Sequence, residues 1–253
     1  MKIKRLLAST LTLVFLFNLS FAQQKQFKAF IVTNTNGWHH ESIHYGVVAL
    51  KEMATRNFFD AELFQDPKSF NDSFLKQFQV IIFLNTTGDI LNGEQQKVME
   101  RFIQSGKGFV GIHSASDTEY DWDWYTKLVG RMFYIHPAIQ TAKLQILDTS
   151  FPGMQGFVQG KLWTDEWYQF SEEKVKDLHY ILGVDETTYN AKAGWGTKKA
   201  EGMGKFHPIA WYHNYDGGRS FYTALGHLPT NFSNEAFLNH LYAGILWAAT
   251  GKK

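Results

Sequence analysis

Two short stretches constrain this chain more than any others. Residues 80–85 (VIIFLN) and 109–113 (FVGIH) are almost continuously apolar over the length of one strand. A strand that is apolar at every position has both faces buried, which is the condition of a parallel sheet covered by helices on both sides. Residues 29–33 (AFIVT) form another such run, and residues 61–64 a shorter one. Helix-like segments lie between the runs. Residues 44–56 place Val47, Val48, Leu50, Met53 and Ala54 near helical spacing. Residues 92–105 begin on Asn92, a good N-cap, carry Glu94 and Gln95 in the first turn, and stop at Gly106. Residues 122–130 read as a further helix and 143–147 as a strand. Residues 209–213 and 220–225 read as two late strands joined by the hairpin-type turn Asp216-Gly217-Gly218. Residues 234–250 form a closing amphipathic helix between Asn234 as cap and Gly251 as stop. Strand–helix alternation over the first 130 residues predicts a doubly wound, mainly parallel sheet. Such sheets bind ligands beyond the carboxyl ends of their strands. The chemistry is therefore expected in residues 34–40, 85–89, 113–117 and 226–229.

Residues 1–22 read as a secretory signal: Lys2, Lys4 and Arg5 precede an apolar run, and Ser20-Phe21-Ala22 offers a small-residue cleavage site. Residues 23–253 then form one domain, expected in the periplasm or outside the cell. The chain has no cysteine, so neither disulfides nor lipid attachment at a cysteine is available, and stability must come from packing. The 22 Phe, 11 Tyr and 8 Trp can supply much of that burial. A net charge of +1 gives no basis for a nucleic-acid or anionic-membrane partner, and no second span is visible once the signal is removed.

The strand-end segments hold the ionisable candidates. His113 follows a buried strand directly, as the nucleophile does in a sharp strand-to-turn elbow, although G-x-S-x-G is absent and Ser114 is a weak candidate. His227 ends the last long strand and is positioned to meet His113. In Trp38-His39-His40-Glu41 the two histidines point in different directions, so at most one belongs to a site. The histidines at this edge (His39, His113 and His227) are the candidate ligands of a divalent metal such as zinc. In Asp165-Glu166-Trp167-Tyr168, two carboxylates lie among aromatics, an environment that tends to raise a carboxyl pKa and suits acid/base work. Asp117 leads an acidic and aromatic run that ends at Tyr125. Trp38, Trp122 and Trp167 are candidates to stack on a sugar ring, with His40, Asp117 and Arg219 as further substrate contacts. Each of these has a bland alternative: a capping carboxylate, a core indole or a histidine bonded to loop backbone. Residues 190–206, with four glycines and four lysines, read equally well as a binding loop and as disorder.

Taken together and in order, these residues resemble the ThuA-like family, named for trehalose utilisation. The match rests on 37–43 (GWHHESI), 111–115 (GIHSA), Gly130, His136-Pro137, 165–168 (DEWY), 208–211 (PIAW), Gly218-Arg219 and 222–227 (YTALGH). The resemblance implies a flavodoxin-like, class I glutamine amidotransferase-like three-layer sandwich. It also implies a small-molecule carbohydrate partner, a disaccharide or its 3-keto derivative. In the amidotransferases the elbow carries a cysteine; here that position is His113, and no thiol exists anywhere, which excludes glutaminase chemistry by that route. The leading expectation is an exported sugar isomerase, lyase or glycoside-processing hydrolase centred on His113, Glu166 and His227. The alternatives are a non-catalytic carbohydrate-binding protein using the same cleft, and a partner-binding domain whose site has decayed.

The signal should be removed after Ala22. Intact mass of protein recovered from the periplasm should correspond to a chain starting at Gln23; a full-length chain retained in the membrane fraction would contradict this.

Overall fold

The computed structural model describes residues 24–64 and 66–253. The expected signal therefore lies outside the described residues. In chain order the elements are β1 (Lys28–Val32), α1 (Ser42–Arg56), β2 (Asp60–Leu63), α2 (Asp72–Leu75), β3 (Val80–Leu84), α3 (Gly93–Gln104), β4 (Gly108–Ile112), α4 (Asp123–Val129), β5 (Phe133–Ile135), β6 (Gln140–Ile146), β7 (Leu162–Asp165), β8 (Gln169–Phe170), β9 (His179–Asp185), β10 (Ala193–Trp195), β11 (Lys198–Ala200), β12 (Pro208–Tyr215), β13 (Gly218–Thr223) and α5 (Glu235–Thr250).

Nine strands make one sheet in the order β2-β1-β3-β4-β13-β12-β9-β6-β7. The first five are parallel, and β12, β9, β6 and β7 extend them with antiparallel pairings. The two all-apolar runs, β3 and β4, sit side by side in the parallel half with every residue buried. Alternate residues of these strands serve opposite helix layers. Leu84 meets Gly46 of α1, and Gly108 meets Ala248 of α5. Phe83 and Phe109 instead pack on Tyr125 of α4, with ring centroids 5.7 and 5.8 Å apart. The result is the three-layer α/β sandwich expected from the sequence.

Local signals act as read. Asn92 accepts from the backbone N–H groups of Glu94 and Gln95, while the Gln95 side chain accepts from Asn92 N–H, a complete capping box for α3. Gly251 ends α5 in the left-handed conformation. The turn between β12 and β13 has positive φ at both Asp216 and Gly217, as a tight two-residue hairpin requires. Residues 190–206 are not irregular: they contain the β10–β11 hairpin. Its base is fixed by Glu186, which accepts from Met203 and Gly204 N–H and from His207 Nδ1 at 2.7 Å.

The antiparallel half curls. In a flat sheet β7 would lie roughly 19 Å from β13, four strand spacings away. Instead Asp165 at the end of β7 accepts a hydrogen bond from Gly226 N–H, just past β13, at 3.0 Å. This curl brings a distal edge strand to the carboxyl ends of the central ones.

Gly108 admits no side chain, because a Cβ there would stand 2.2 Å from the Ala248 carbonyl oxygen. Gly108→Ala should therefore cost roughly 3 kcal/mol, the upper range for overpacking. Gly93→Ala, in open space at the start of α3, should cost nothing. Urea unfolding of the two variants checks the contrast.

Candidate active site

The site forms where five chain segments end at one edge of the sheet. Gly226 is their junction. Its φ of +118°, and Ile112, Phe232 and Phe237 standing 3.2–3.4 Å from where a Cβ would be, select glycine. Its carbonyl accepts from Ser42 Oγ at 3.0 Å and from Asn85 Nδ2 at 3.1 Å, and its N–H donates to Asp165. The start of α1 and the ends of β3, β7 and β13 are thereby tied together, and Glu166 and His227, the next residues along, face each other.

His113 occupies the elbow after β4 with φ +50°, uncommon for a residue with a Cβ and typical of functional turns. Its Nδ1 donates to the Ala224 carbonyl at 2.8 Å, which fixes the ring and leaves Nε2 pointing into the site. Nε2 lies 3.2 Å from His227 Nδ1 and 3.4 Å from Glu166 Oε2, and His227 Nδ1 lies 3.1 Å from the same oxygen. His136, after β5, approaches the other oxygen of Glu166 at 3.2 Å. His40 completes the cluster, its ring perpendicular to those of His113 and His227 at centroid distances of 4.8 and 5.2 Å. Ser114 is buried, with Oγ 3.4 Å from His40 Nδ1.

Burial alone would raise the Glu166 pKa, as its aromatic neighbours suggested. The His113 and His227 imidazoles beside it outweigh burial and hold the carboxyl well below the usual range. The expected raised value is thus overturned, because Glu166 turns toward imidazoles rather than rings of Trp or Tyr. Its chain neighbour Asp165 does have a raised pKa, through complete burial. Burial lowers His227, but Glu166 beside it reverses the sign and raises it. Burial, with His113 and His227 adding to it, lowers His40 to about 2, so that ring is neutral. Burial raises Asp117.

Above these groups lies a cleft of about 420 Å³ lined by Trp38, Asp117, Phe133, Tyr168, Trp195 and the exposed sides of the cluster. Its size falls within the range of about 300–1,000 Å³ for small-molecule sites. Trp38 and Trp195 are well exposed, 72% and 43%, and stand at its mouth. Tyr168 is buried beneath, its ring 4.3 Å from that of His113.

The structure brings together His113, Glu166, His227, His40, Asp117 and Trp38. It places four other candidates elsewhere. His39 is exposed and turned to Thr35, so His40 is the member of the pair that joins the cluster. Trp122 stacks on Trp124 and Tyr125 and donates to Glu100. Trp167 is buried and donates to the Gln140 carbonyl. Arg219 pairs in register with Gly108 at the opposite end of the strands and caps the carboxyl end of α5 through the Ala248 carbonyl. Four lining residues, Phe133, His136, Tyr168 and Trp195, were missed as site members. His136 stood in the sequence only beside Pro137, and Trp195 within a glycine-rich segment without periodicity.

A family model described as ThuA, trehalose utilisation, matches residues 28–248. Among solved structures, a ThuA-like protein from Bacteroides uniformis is 20% identical, covers 94% of this chain and 97% of its own, and superposes with a TM-score of 0.73. A ThuA-like protein from Parabacteroides merdae is also 20% identical, with 90% and 91% coverage and a TM-score of 0.71. A β-galactosidase from Bacillus circulans shares the fold over 88% of this chain and 31% of its own, at 14% identity and a TM-score of 0.54. A search of curated proteins finds no match.

Arg219→Ala should lower stability by about 2 kcal/mol, the order expected for losing charge-assisted hydrogen bonds to the α5 terminus. It should leave ligand binding in the cleft unchanged. Thermal unfolding and a binding titration on the same sample check both halves.

Proposed function

The chain belongs to the ThuA, trehalose-utilisation family, and on that premise we propose that it is an exported enzyme acting on a disaccharide or its 3-keto derivative, with His113, Glu166 and His227 as the reacting centre. Family membership implies a carbohydrate-related role. The observation that carries the finer reading is a buried carboxylate faced by three imidazoles on the floor of a cleft whose mouth holds two exposed indoles.

The chemistry of a sugar explains both layers. The C–H face of a pyranose packs on an indole, while its hydroxyls need polar partners at the edges. Trp38 and Trp195 supply the first, and Asp117 the second. Both oxygens of Glu166 are engaged by imidazoles, which does not suit a free carboxylate nucleophile attacking an anomeric carbon. The cluster fits proton transfer better. In a 3-keto glycoside the carbonyl acidifies the proton on C2, and the glycosidic oxygen on C1 lies β to that carbonyl. Transfer of the C2 proton to the Asp117 carboxylate, which lines the cleft, sends the C–H electron pair to the C3 oxygen, and return of that pair forms a C1–C2 double bond and expels the C1 substituent. A centre rich in imidazole can hold the oxyanion and protonate the departing oxygen. The apolar run behind Lys2, Lys4 and Arg5 supports export.

Non-catalytic sugar binding on the same cleft is the competing reading, and the variants separate the two. Glu166→Gln and His227→Ala should each reduce turnover of a 3-keto disaccharide by about 100-fold or more, the contribution of one positioned acid or base. Trp38→Ala and Trp195→Ala should raise KM with the fold intact, whereas Trp167→Ala should destabilise the protein. Binding of sugar without any turnover by the wild type, unchanged by Glu166→Gln, would sink the catalytic reading.

A further inference from the structure

We infer that His113, His227 and Glu166, with His40 beside them, form a binding site for a divalent transition-metal ion, zinc being the best match. The inference deepens the proposed function and rests on its placing the reacting centre at this cluster.

Geometry carries it. Four-coordinate zinc holds nitrogen and oxygen ligands about 2.0–2.1 Å away, so neighbouring ligand atoms of a tetrahedral site stand about 3.3 Å apart. The three atoms here form a triangle with edges of 3.2 Å (His113 Nε2 to His227 Nδ1), 3.4 Å (His113 Nε2 to Glu166 Oε2) and 3.1 Å (His227 Nδ1 to Glu166 Oε2). That is one face of such a tetrahedron. One ligand atom of His40 lies with the other three inside a mutual distance of 4.8 Å. Three close donors with a neighbouring position open to the cleft is the pattern of a catalytic rather than a structural site.

Proton counting points the same way. The His113 Nδ1 proton is committed to the Ala224 carbonyl, so in the neutral ring Nε2 offers a lone pair. Ionised Glu166 Oε2 offers another. His227 Nδ1 can bring one proton, which satisfies one of the two. A lone pair therefore faces a carboxylate oxygen in a buried place, a costly arrangement that a cation at the centre of the triangle removes. The surroundings are those of a ligand shell. The bond from His113 to a backbone carbonyl fixes that ring, and His136 holds the second oxygen of Glu166, leaving Oε2 for the site. The bound ion would receive the carbonyl oxygen of the substrate, and Asp117 in the same cleft, which accepts from Tyr120 through one oxygen, stays outside the ligand set and available for proton transfer.

The test uses tag-free protein, stripped with a chelator and dialysed against zinc or cobalt(II). The expected result is one equivalent bound, a rise in melting temperature, and visible ligand-field absorption for the cobalt form. Glu166→Gln and His227→Ala should each weaken zinc binding by at least about 100-fold, the upper end of what outer-shell changes alone produce. His39→Ala, next to His40 in the chain but exposed and outside the cluster, should bind as the wild type does. Should either ligand variant fail to fold, the cobalt spectrum of the wild type still reports whether nitrogen ligands surround the ion. Binding well below one equivalent, or binding that survives both variants, overturns the site. Loss of turnover in Glu166→Gln without any metal binding leaves the carbohydrate reading standing and makes a shared proton the occupant of the triangle. A bound metal without sugar turnover does the reverse.

Discussion

The Asp165 carboxylate is the constraint on which the rest of this site depends. It is fully buried, and its oxygens accept from Gly226 N–H, Glu166 N–H and the Asn231 side chain. Through Gly226 it reaches Ser42 and Asn85, so one buried group locks the strand-end loops of both sheet halves. Burying a carboxyl is costly unless its acceptor capacity is filled. Filling it here requires the antiparallel half to curl until β7 meets β13. The same curl delivers Glu166, the next residue, to histidines that belong to the parallel half.

A division of labour follows. The parallel half, with its fully apolar β3 and β4, gives a rigid platform whose strand ends hold His113 and His227 side by side. The antiparallel half and the β10–β11 hairpin build a wall, contributing Glu166, Tyr168 and Trp195, while His136 follows β5. Glu186 and His207 fasten the base of that hairpin, so a glycine-rich segment acquires a fixed place beside His136, 4.5 Å from the Trp195 ring. Positive φ at His113 and complete burial of its ring show how much surrounding structure holds this elbow in place.

Much of the platform was legible in the sequence. A strand apolar at every position must be covered twice, so residues 80–85 and 109–113 announced a central parallel sheet, and Asn92, Asn234 and Gly251 announced helix ends through chemistry that is purely local. His113 was legible for the same reason, since it directly follows such a strand, and His227 because it lies just past the last long strand. The strands β5, β7, β8, β10 and β11 carried no comparable signal. They are short or half-exposed, and what makes them strands is pairing with distant partners.

Sequence alone therefore determined the fold class, the sheet edge that carries the chemistry, the absence of any thiol and two of the central histidines. Tertiary structure decided which residues join them. Whether His39 or His40 turns inward depends on the packing of one loop. Whether a tryptophan is core or cleft depends on what lies across from it: Trp167 and Trp122 are consumed by packing, while Trp38 and Trp195 are left at the mouth. The ionisation of Glu166 was decided there too, because a carboxyl pKa follows its neighbours in space, and those three imidazoles come from segments between 30 and 61 residues away in the chain.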